Sequence, residues 1–368
     1  MTRHAARSIM PDLCMAVPPR SLDLFAGIGG ITHGLRGIFS PVGYCEIDEF
    51  CAGALKRLMR EGKIPEAPVH PDVRTLSLPP GTVDAVVGGS PCVGFSSAGK
   101  RRGLRDEQSA LYADMMRVVR DLRPTHVFME NVAAIVQSDA LETVLRDLGG
   151  MGYACKWTTL YARDVGAPQM RRRWFLLAST GAPPLAPPVD PHDWTREPCV
   201  RMEPLGKTTR KQFKALGNAA VPDQVRAAYA WLASTWHDTG EETTLGTVMR
   251  ERSDGFCKNG TFYEVTKFAT TVPKTPADIV LIPGVVASPK VPKNTLPELE
   301  RSAGLSAWGT PRSSFVNANW VLTARGAKDL PTQLRFDHRT PDDVRHMHPN
   351  ARWIAWLQGF PADWLQNG

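Results

Sequence analysis

The 368-residue sequence predicts an α/β protein: a doubly wound, mostly parallel sheet with a second, smaller domain that is irregular or β-rich. Two observations predict the sheet. From residue 21 to residue 179 short β-rich runs alternate with longer helical ones, the pattern of a parallel sheet wrapped by helices on both faces. The strand-like runs end in FAGIGG (25–30), CEID (45–48), SPC (90–92) and MENV (129–132), and carboxyl strand ends are where such sheets hold ligands. A third observation predicts the companion domain: after about Gly240 the alternation stops, and proline, glycine and mixed charge take over.

In chain order, RSLDLFAG reads as a strand entering a glycine-rich turn, ITHGLRGIF as a helix, VGYCEID as a strand and EFCAGALKRLM as a helix. VDAVVGG, THVFMEN, YACKWTTLYA and RRWFLLAS read as further strands, with helices in SALYADMMRVVRDL and ALETVLRDLGG. Residues 181–198 are proline-rich and predict a linker across the surface. A helix over 222–236 follows, with Pro222 in its first turn. The domain boundaries expected are 1–239, 240–352, and a C-terminal segment, 353–368, that returns to brace the other two.

Composition narrows the classes. The apolar content of 42% and charged content of 22% are those of a globular protein, and no apolar run is long enough to span a bilayer. The first 20 residues lack the continuous apolar run of a secretion signal, so a cytoplasmic location is expected. Seven cysteines, odd in number and never in a CxxC pair, argue against a disulfide framework and a zinc ribbon, and no metal is expected. The net charge of +7 suits a polyanionic partner such as nucleic acid.

The motifs carry more. A glycine turn between strand and helix lets a ligand approach the backbone, and Glu46, about 20 residues on, ends the next strand where a carboxylate reaches ribose hydroxyls. The spacing departs from GxGxxG and nothing supplies a pyrophosphate clamp. An adenosine ligand without phosphates, such as S-adenosylmethionine, therefore fits better than a nicotinamide dinucleotide. Cys92 follows Pro91, which stiffens its presentation, while Gly94 and Gly99 suit a hinged loop. Lys100, Arg101, Arg102 and Arg105 would favour a thiolate and would grip a phosphate backbone; a buried small thiol and a solvated charged loop are the plainer readings. Glu130 should lie beside Cys92 if their strands are neighbours. Strand alternation puts Gln169, Arg171 and Arg173 on one face, where arginine can orient a carboxylate.

Taken together, DLFAGIGG, SPCVGFSSAGKRRGL, MENV, QMRRRWF, ALGNAAVP and LQGFPADW resemble the DNA cytosine-5 methyltransferase family, over about residues 20–236 and 353–364. The resemblance implies a Rossmann-like S-adenosylmethionine-dependent methyltransferase fold, with 240–352 as a DNA target-recognition domain. It implies Cys92 as the nucleophile that adds to C6 of a flipped-out cytosine, and Glu130 as the group that protonates or hydrogen-bonds N3. Arg171 and Arg173 would position both. For the cofactor it implies Phe25, Gly27 and Gly29 along the methionine and adenosine, Glu46 on the ribose, Asp72 with Val73 at the adenine, and Asn218 near the methionine. The loop 93–106, through Ser96, Lys100, Arg101 and Arg102, would contact DNA.

The partners implied are double-stranded DNA and, as a candidate, a cognate restriction endonuclease acting on the same site, with the enzyme itself a monomer and no membrane involved. An RNA methyltransferase and a catalytically silent DNA-binding relative are the alternatives. The long segment after residue 240 speaks against the first, and intact Cys92, Glu130, Arg171 and Arg173 against the second. The chain departs from the family pattern at Val93, Gly94 and Gln108, and in order: GNAAVP precedes the recognition segment and LQGFPADW closes the chain.

Overall fold

The computed structural model of the chain describes residues 17–90, 107–169, 171–199, 202–204, 210–238, 242–243, 254–259, 261–263, 281–282, 285–286 and 347–365. Cys92 and the loop residues Ser96, Lys100, Arg101 and Arg102 lie outside these, as does most of 240–352. The fold is mixed α/β. Its first seven strands are β1 (Arg20–Leu24), β2 (Ser40–Cys45), β3 (Val69–His70), β4 (Ala85–Gly88), β5 (His126–Val132), β6 (Ala154–Tyr161) and β7 (Arg172–Ser179). They stand in the order β3-β2-β1-β4-β5-β7-β6 within one sheet. The pairs from β3 to β5 are parallel, and β7 runs antiparallel to both β5 and β6.

This topology decides what meets what. The carboxyl ends of the parallel strands β1, β2, β4 and β5 share one edge, so FAGIGG, Glu46, Gly89 and Glu130 gather there. Because β7 runs the other way, its first residues come to that same edge. The adjacency of β4 and β5 assumed for the approach of Glu130 to the strand before Cys92 holds, with Val87 paired to Phe128 and Gly88 to Met129.

The helices are α1 (Gly30–Gly34), α2 (Glu49–Arg60), α3 (Glu107–Leu122), α4 (Asp139–Gly150), α5 (Arg210–Asn218), α6 (Pro222–Ser234) and α7 (Ala351–Leu357). Buried side chains of α1, α2, α5, α6 and α7 form one apolar layer with Phe128 and Phe175, and those of α3 and α4 form the other with Met129 and Trp174. Alternation along β5 and β7 serves both layers. In α2, the Asp48 carboxylate accepts from Phe50 N–H and Cys51 N–H as an N-cap, and Cys51, Ala54, Leu55 and Leu58 form the inward stripe.

Three local expectations are revised. The helix read over ITHGLRGIF is a single turn ending at Gly34, after which Gly37 takes a positive φ and Arg36 bridges to Phe39. The helix expected over 222–236 ends at Ser234: the fully buried Lys156 ammonium donates to the carbonyl of the capping Thr235, a cation placed at the negative helix end. Burial pulls this lysine down to about 8. The proline-rich stretch is tied down, with Tyr229 Oη donating to Pro184 O, the Arg226 guanidinium donating to Pro187 O, and Trp194 buried.

Beyond β6 the sheet continues through strands that follow residue 240. β10 (Gly255–Lys258) pairs with β6, β11 (Thr261–Tyr263) with β10, and β9 (Glu242–Thr243) with β11, all antiparallel. β12 (Leu281–Ile282) pairs antiparallel with β13 (Val285–Val286), and β14 (Met347–Pro349) with β8 (Met202–Pro204). The chain then enters α7, whose Trp353, Ile354, Trp356 and Leu357 are buried in the same layer as α5 and α6.

Packing between α1 and α6 leaves no room at Gly34. A Cβ there would meet Pro222 O at 2.6 Å and Val225 Cβ at 2.7 Å. Gly34→Ala should lower the unfolding free energy in denaturant titration by about 1–3 kcal/mol through overpacking. Gly53→Ala, in open space on α2, should instead be neutral or stabilising by up to about 1 kcal/mol. The reverse order of the two would contradict the packing described.

Candidate active site

The turn after β1 is held in a conformation that few residues adopt. Phe25, Gly27 and Gly29 have φ of 56°, 55° and 82°, so the backbone folds back on itself and Gly29 N–H reaches Ala26 O at 2.9 Å. Glu46 fixes the turn from the neighbouring strand. Its Oε2 accepts from Gly27 N–H and its Oε1 from Asp48 N–H, both at 2.7 Å. Each oxygen keeps a second lone pair, so the carboxylate can still accept ligand hydroxyls. Beneath the turn, Asp23 is fully buried, and Thr32 Oγ1 donates to its Oδ2 at 2.5 Å. Burial raises Asp23 to about 7; the Thr32 bond opposes this, and the nearby Glu46 charge adds to it.

At the ends of β4, β5 and β7 lies the second group. Arg173 Nε stands 3.0 Å from Glu130 Oε1, with both side chains mostly buried. This is an ion pair without a linear hydrogen bond, since Oε1 makes none. The other oxygen lies over Gly89, where a Cβ would come within 2.9 Å of Oε2. Gly89 is therefore the residue type that lets the carboxylate rest against the chain leading to Pro91 and Cys92.

Arg171, 2% exposed, donates to Gly217 O at 3.2 Å and Ala219 O at 2.7 Å. Burial and then Arg173 pull it down to about 9, with Glu130 opposing. Gln169 donates to Leu357 O at 2.7 Å and to Gln358 Oε1 at 3.1 Å. Of the three side chains expected on one face, Arg173 alone meets Glu130. The other two knit GNAAVP and LQGFP to the strand end.

The remaining expected cofactor residues divide. Asp72 caps a 3₁₀ turn, accepts from Arg74 N–H at 2.9 Å and pairs with the Arg74 side chain at 2.6 Å, which holds its carboxyl down at about 2. It is an ionised acceptor. The Val73 side chain is 4% exposed within the core, so only its backbone can serve a ligand. Asn218 is exposed at the end of α5, and its loop touches the glycine turn, where a Cβ on Gly30 would meet Ala220 O at 2.5 Å.

Ile47 was not anticipated. It is 65% exposed between Glu46 and Asp48, and an exposed branched aliphatic beside a ligand-ready carboxylate offers an apolar face to a flat ring. Among the five described thiols are Cys45, Cys51 and Cys155, which are buried, and burial pushes each of these up, Cys45 to about 12, which suits core packing. Among the described residues no three His, Cys, Asp or Glu side chains gather to hold a metal, and no helix is long and apolar enough to cross a membrane.

Comparison with known proteins agrees with this frame. The profile of C-5 cytosine-specific DNA methylases matches residues 20–367. The type II methyltransferase M.CviJI of Paramecium bursaria Chlorella virus IL3A is 32% identical over 376 residues, covering 94% of this chain and 97% of that protein. M.HhaI of Haemophilus parahaemolyticus is 33% identical over 162 residues, covering 43% of this chain and 48% of its own.

Asp23 makes the glycine turn sensitive to pH. An unfolded carboxyl titrates near 3.8, so between about pH 4 and pH 7 only the folded protein holds this proton, and the stability it contributes is lost as pH rises through about 7. Asp23→Asn should gain unfolding free energy relative to the parent on going from about pH 5 to about pH 8. A difference that stays constant across that range would exclude Asp23 as the titrating group.

Proposed function

The chain belongs to the C-5 cytosine-specific DNA methylase family and is a DNA (cytosine-5-)-methyltransferase; on that premise we propose that it uses S-adenosylmethionine to methylate a cytosine flipped out of a specific duplex sequence, through a covalent bond from Cys92 to C6. The observation that best supports this reading is the Glu130 carboxylate, paired with Arg173 and resting on Gly89 three residues before Cys92.

Cytosine C5 is a weak nucleophile, so the Cys92 thiolate first forms a bond to C6 and makes the ring enamine-like. Glu130, entering the step with a proton on its carboxyl, hydrogen-bonds or protonates N3 and is left as the carboxylate that Arg173 balances, so the charge this addition pushes onto the ring is neutralised. Arg173 holds the carboxyl in place, and Arg171 holds the strand end on which Arg173 stands. C5 would then bond the sulfonium methyl, the broken bond's electron pair staying on sulfur as a neutral thioether; the C5 proton leaves to a base, the electron pair left behind expels Cys92 as thiolate, and the N3 proton returns to Glu130.

The residues around the glycine turn fit an adenosine-bearing methyl donor. Glu46 would hold the ribose, Ile47 would cover the adenine, the ionised Asp72 with the Val73 backbone would meet the adenine edge, and Phe25, Gly27, Gly29 and Asn218 would line the methionine end. S-adenosylmethionine, when bound, supplies the methyl group as a sulfonium.

Flipping the base costs a few kcal/mol, which contacts to the duplex must offset. We assign that role to the loop 93–106 with Ser96, Lys100, Arg101 and Arg102, and sequence readout to 240–352, with 1–239 as the catalytic domain and 353–368 as the brace. Protection of host or viral DNA from a cognate endonuclease is the role proposed, by analogy with the type II methyltransferase relatives, with the protein acting as a cytoplasmic monomer.

Duplex DNA carrying 5-fluorocytosine tests the reaction, because fluorine cannot leave C5 as a proton would and the enzyme stays attached. With S-adenosylmethionine present, a stable adduct mapping to Cys92 is expected, absent in Cys92→Ser. Glu130→Gln should slow adduct formation about 10²–10⁴-fold while S-adenosylmethionine affinity stays within about twofold. Undiminished adduct in Cys92→Ser would refute the assigned nucleophile.

A further inference from the structure

The glycine turn is gripped from a second side, by the far end of the chain. Trp364 is fully buried, and its indole N–H donates to Ile28 O at 2.8 Å across 336 positions of sequence. Its ring lies 4.7 Å from the His33 ring and 5.2 Å from that of Phe360, and a Cβ on Gly29 would come within 3.9 Å of it. Trp364 is itself anchored. Its carbonyl accepts from Arg57, Asp363 pairs with Lys63 at 2.7 Å, and Gln212 donates to Leu365 O at 3.0 Å.

Three left-handed residues within five positions do not hold their shape unaided. Glu46 fixes the Gly27 N–H and Trp364 fixes the Ile28 C=O, so adjoining residues of one turn are clamped from opposite directions. Release of the Ile28 carbonyl would leave a buried acceptor unsatisfied and let the turn relax. The Gly27 N–H and the Glu46 carboxylate would then lose their alignment.

We infer that Trp364 is a positioning residue for the cofactor site: through Ile28 O it sets the conformation of the turn that binds S-adenosylmethionine. The inference rests on the cofactor reading above. It also makes the cofactor site depend on the chain's last described residues, which arrive only after the recognition segment.

The test uses the full chain with Trp364→Phe, and with Trp364 replaced by 3-benzothienylalanine, which keeps the bicyclic ring and lacks the N–H. Lys63→Ala is the control, since it loosens the same segment without touching Ile28. Equilibrium dialysis should show S-adenosylmethionine affinity falling on the order of tenfold in both Trp364 variants. The Michaelis constant for S-adenosylmethionine should rise in step, with turnover at saturation and duplex affinity without cofactor within about twofold of the parent. Lys63→Ala should lower melting temperature without that loss of affinity.

Cofactor affinity unchanged in the benzothienyl variant would overturn the inference alone. The same holds if Lys63→Ala weakens cofactor binding as much as the Trp364 variants do. A parent chain that does not bind S-adenosylmethionine would overturn the functional reading and this inference together.

Discussion

The mostly buried pair of Glu130 and Arg173 is the constraint around which the edge formed by β4, β5 and β7 is arranged. A carboxylate taken out of water costs several kcal/mol unless a cation stands against it. In an all-parallel sheet no neighbouring strand would begin at the edge where β5 ends. The reversed strand β7 supplies that beginning, so Arg173 meets Glu130 by topology. The pair is close at 3.0 Å, yet Oε1 makes no linear hydrogen bond, which leaves the carboxyl group capacity for another partner. Gly89 completes the arrangement by presenting backbone where a side chain would push the carboxylate away.

A second system ties the distant segments to this edge. Arg171 binds carbonyls in the last turn of α5 and just beyond it, Gln169 and Gln358 link the strand end, α5 and α7, and Trp194 Nε1 donates to Trp356 O at 3.0 Å. These are side-chain donors on buried carbonyls at helix ends, which would otherwise go unsatisfied. The order of segments along the chain therefore matters less than their meeting in space. Leu216, in ALGNAAVP, and Gln358, in LQGFPADW, are 142 positions apart in sequence, yet the Gln358 amide donates to the Leu216 carbonyl.

Much of this was legible in the sequence. Short β-rich runs alternating with helical ones marked the strands, and the spacing from the glycine turn to Glu46 put a carboxylate at the right edge. What sequence spacing cannot give is the partner of a side chain. Arg171 and Arg173 look equivalent two residues apart, yet one binds backbone carbonyls and the other Glu130. Val73 sits beside Asp72 in a ligand-like position, and burial in the core removes its side chain from the surface. Helix α5 was hidden because its first turn carries little apolar periodicity. The pairing of β10 with β6 was hidden because short strands beyond residue 240 have no local signal for which edge they will join. Trp364 read only as part of the bracing segment, and the geometry reveals that its N–H serves the turn at Ile28.

The seat of the Glu130 carboxylate is the central claim, and Gly89→Ala probes it with Cys92, Glu130 and Arg173 left in place. Single-turnover methyl transfer to duplex DNA should slow by on the order of 10²-fold as the new methyl group, 2.9 Å from Oε2 and 3.1 Å from the Glu130 carbonyl oxygen, displaces the carboxylate, while S-adenosylmethionine affinity stays near the parent's. A Gly89→Ala protein that transfers methyl groups at the parental rate would show that the carboxylate's seat on Gly89 has no part in the chemistry.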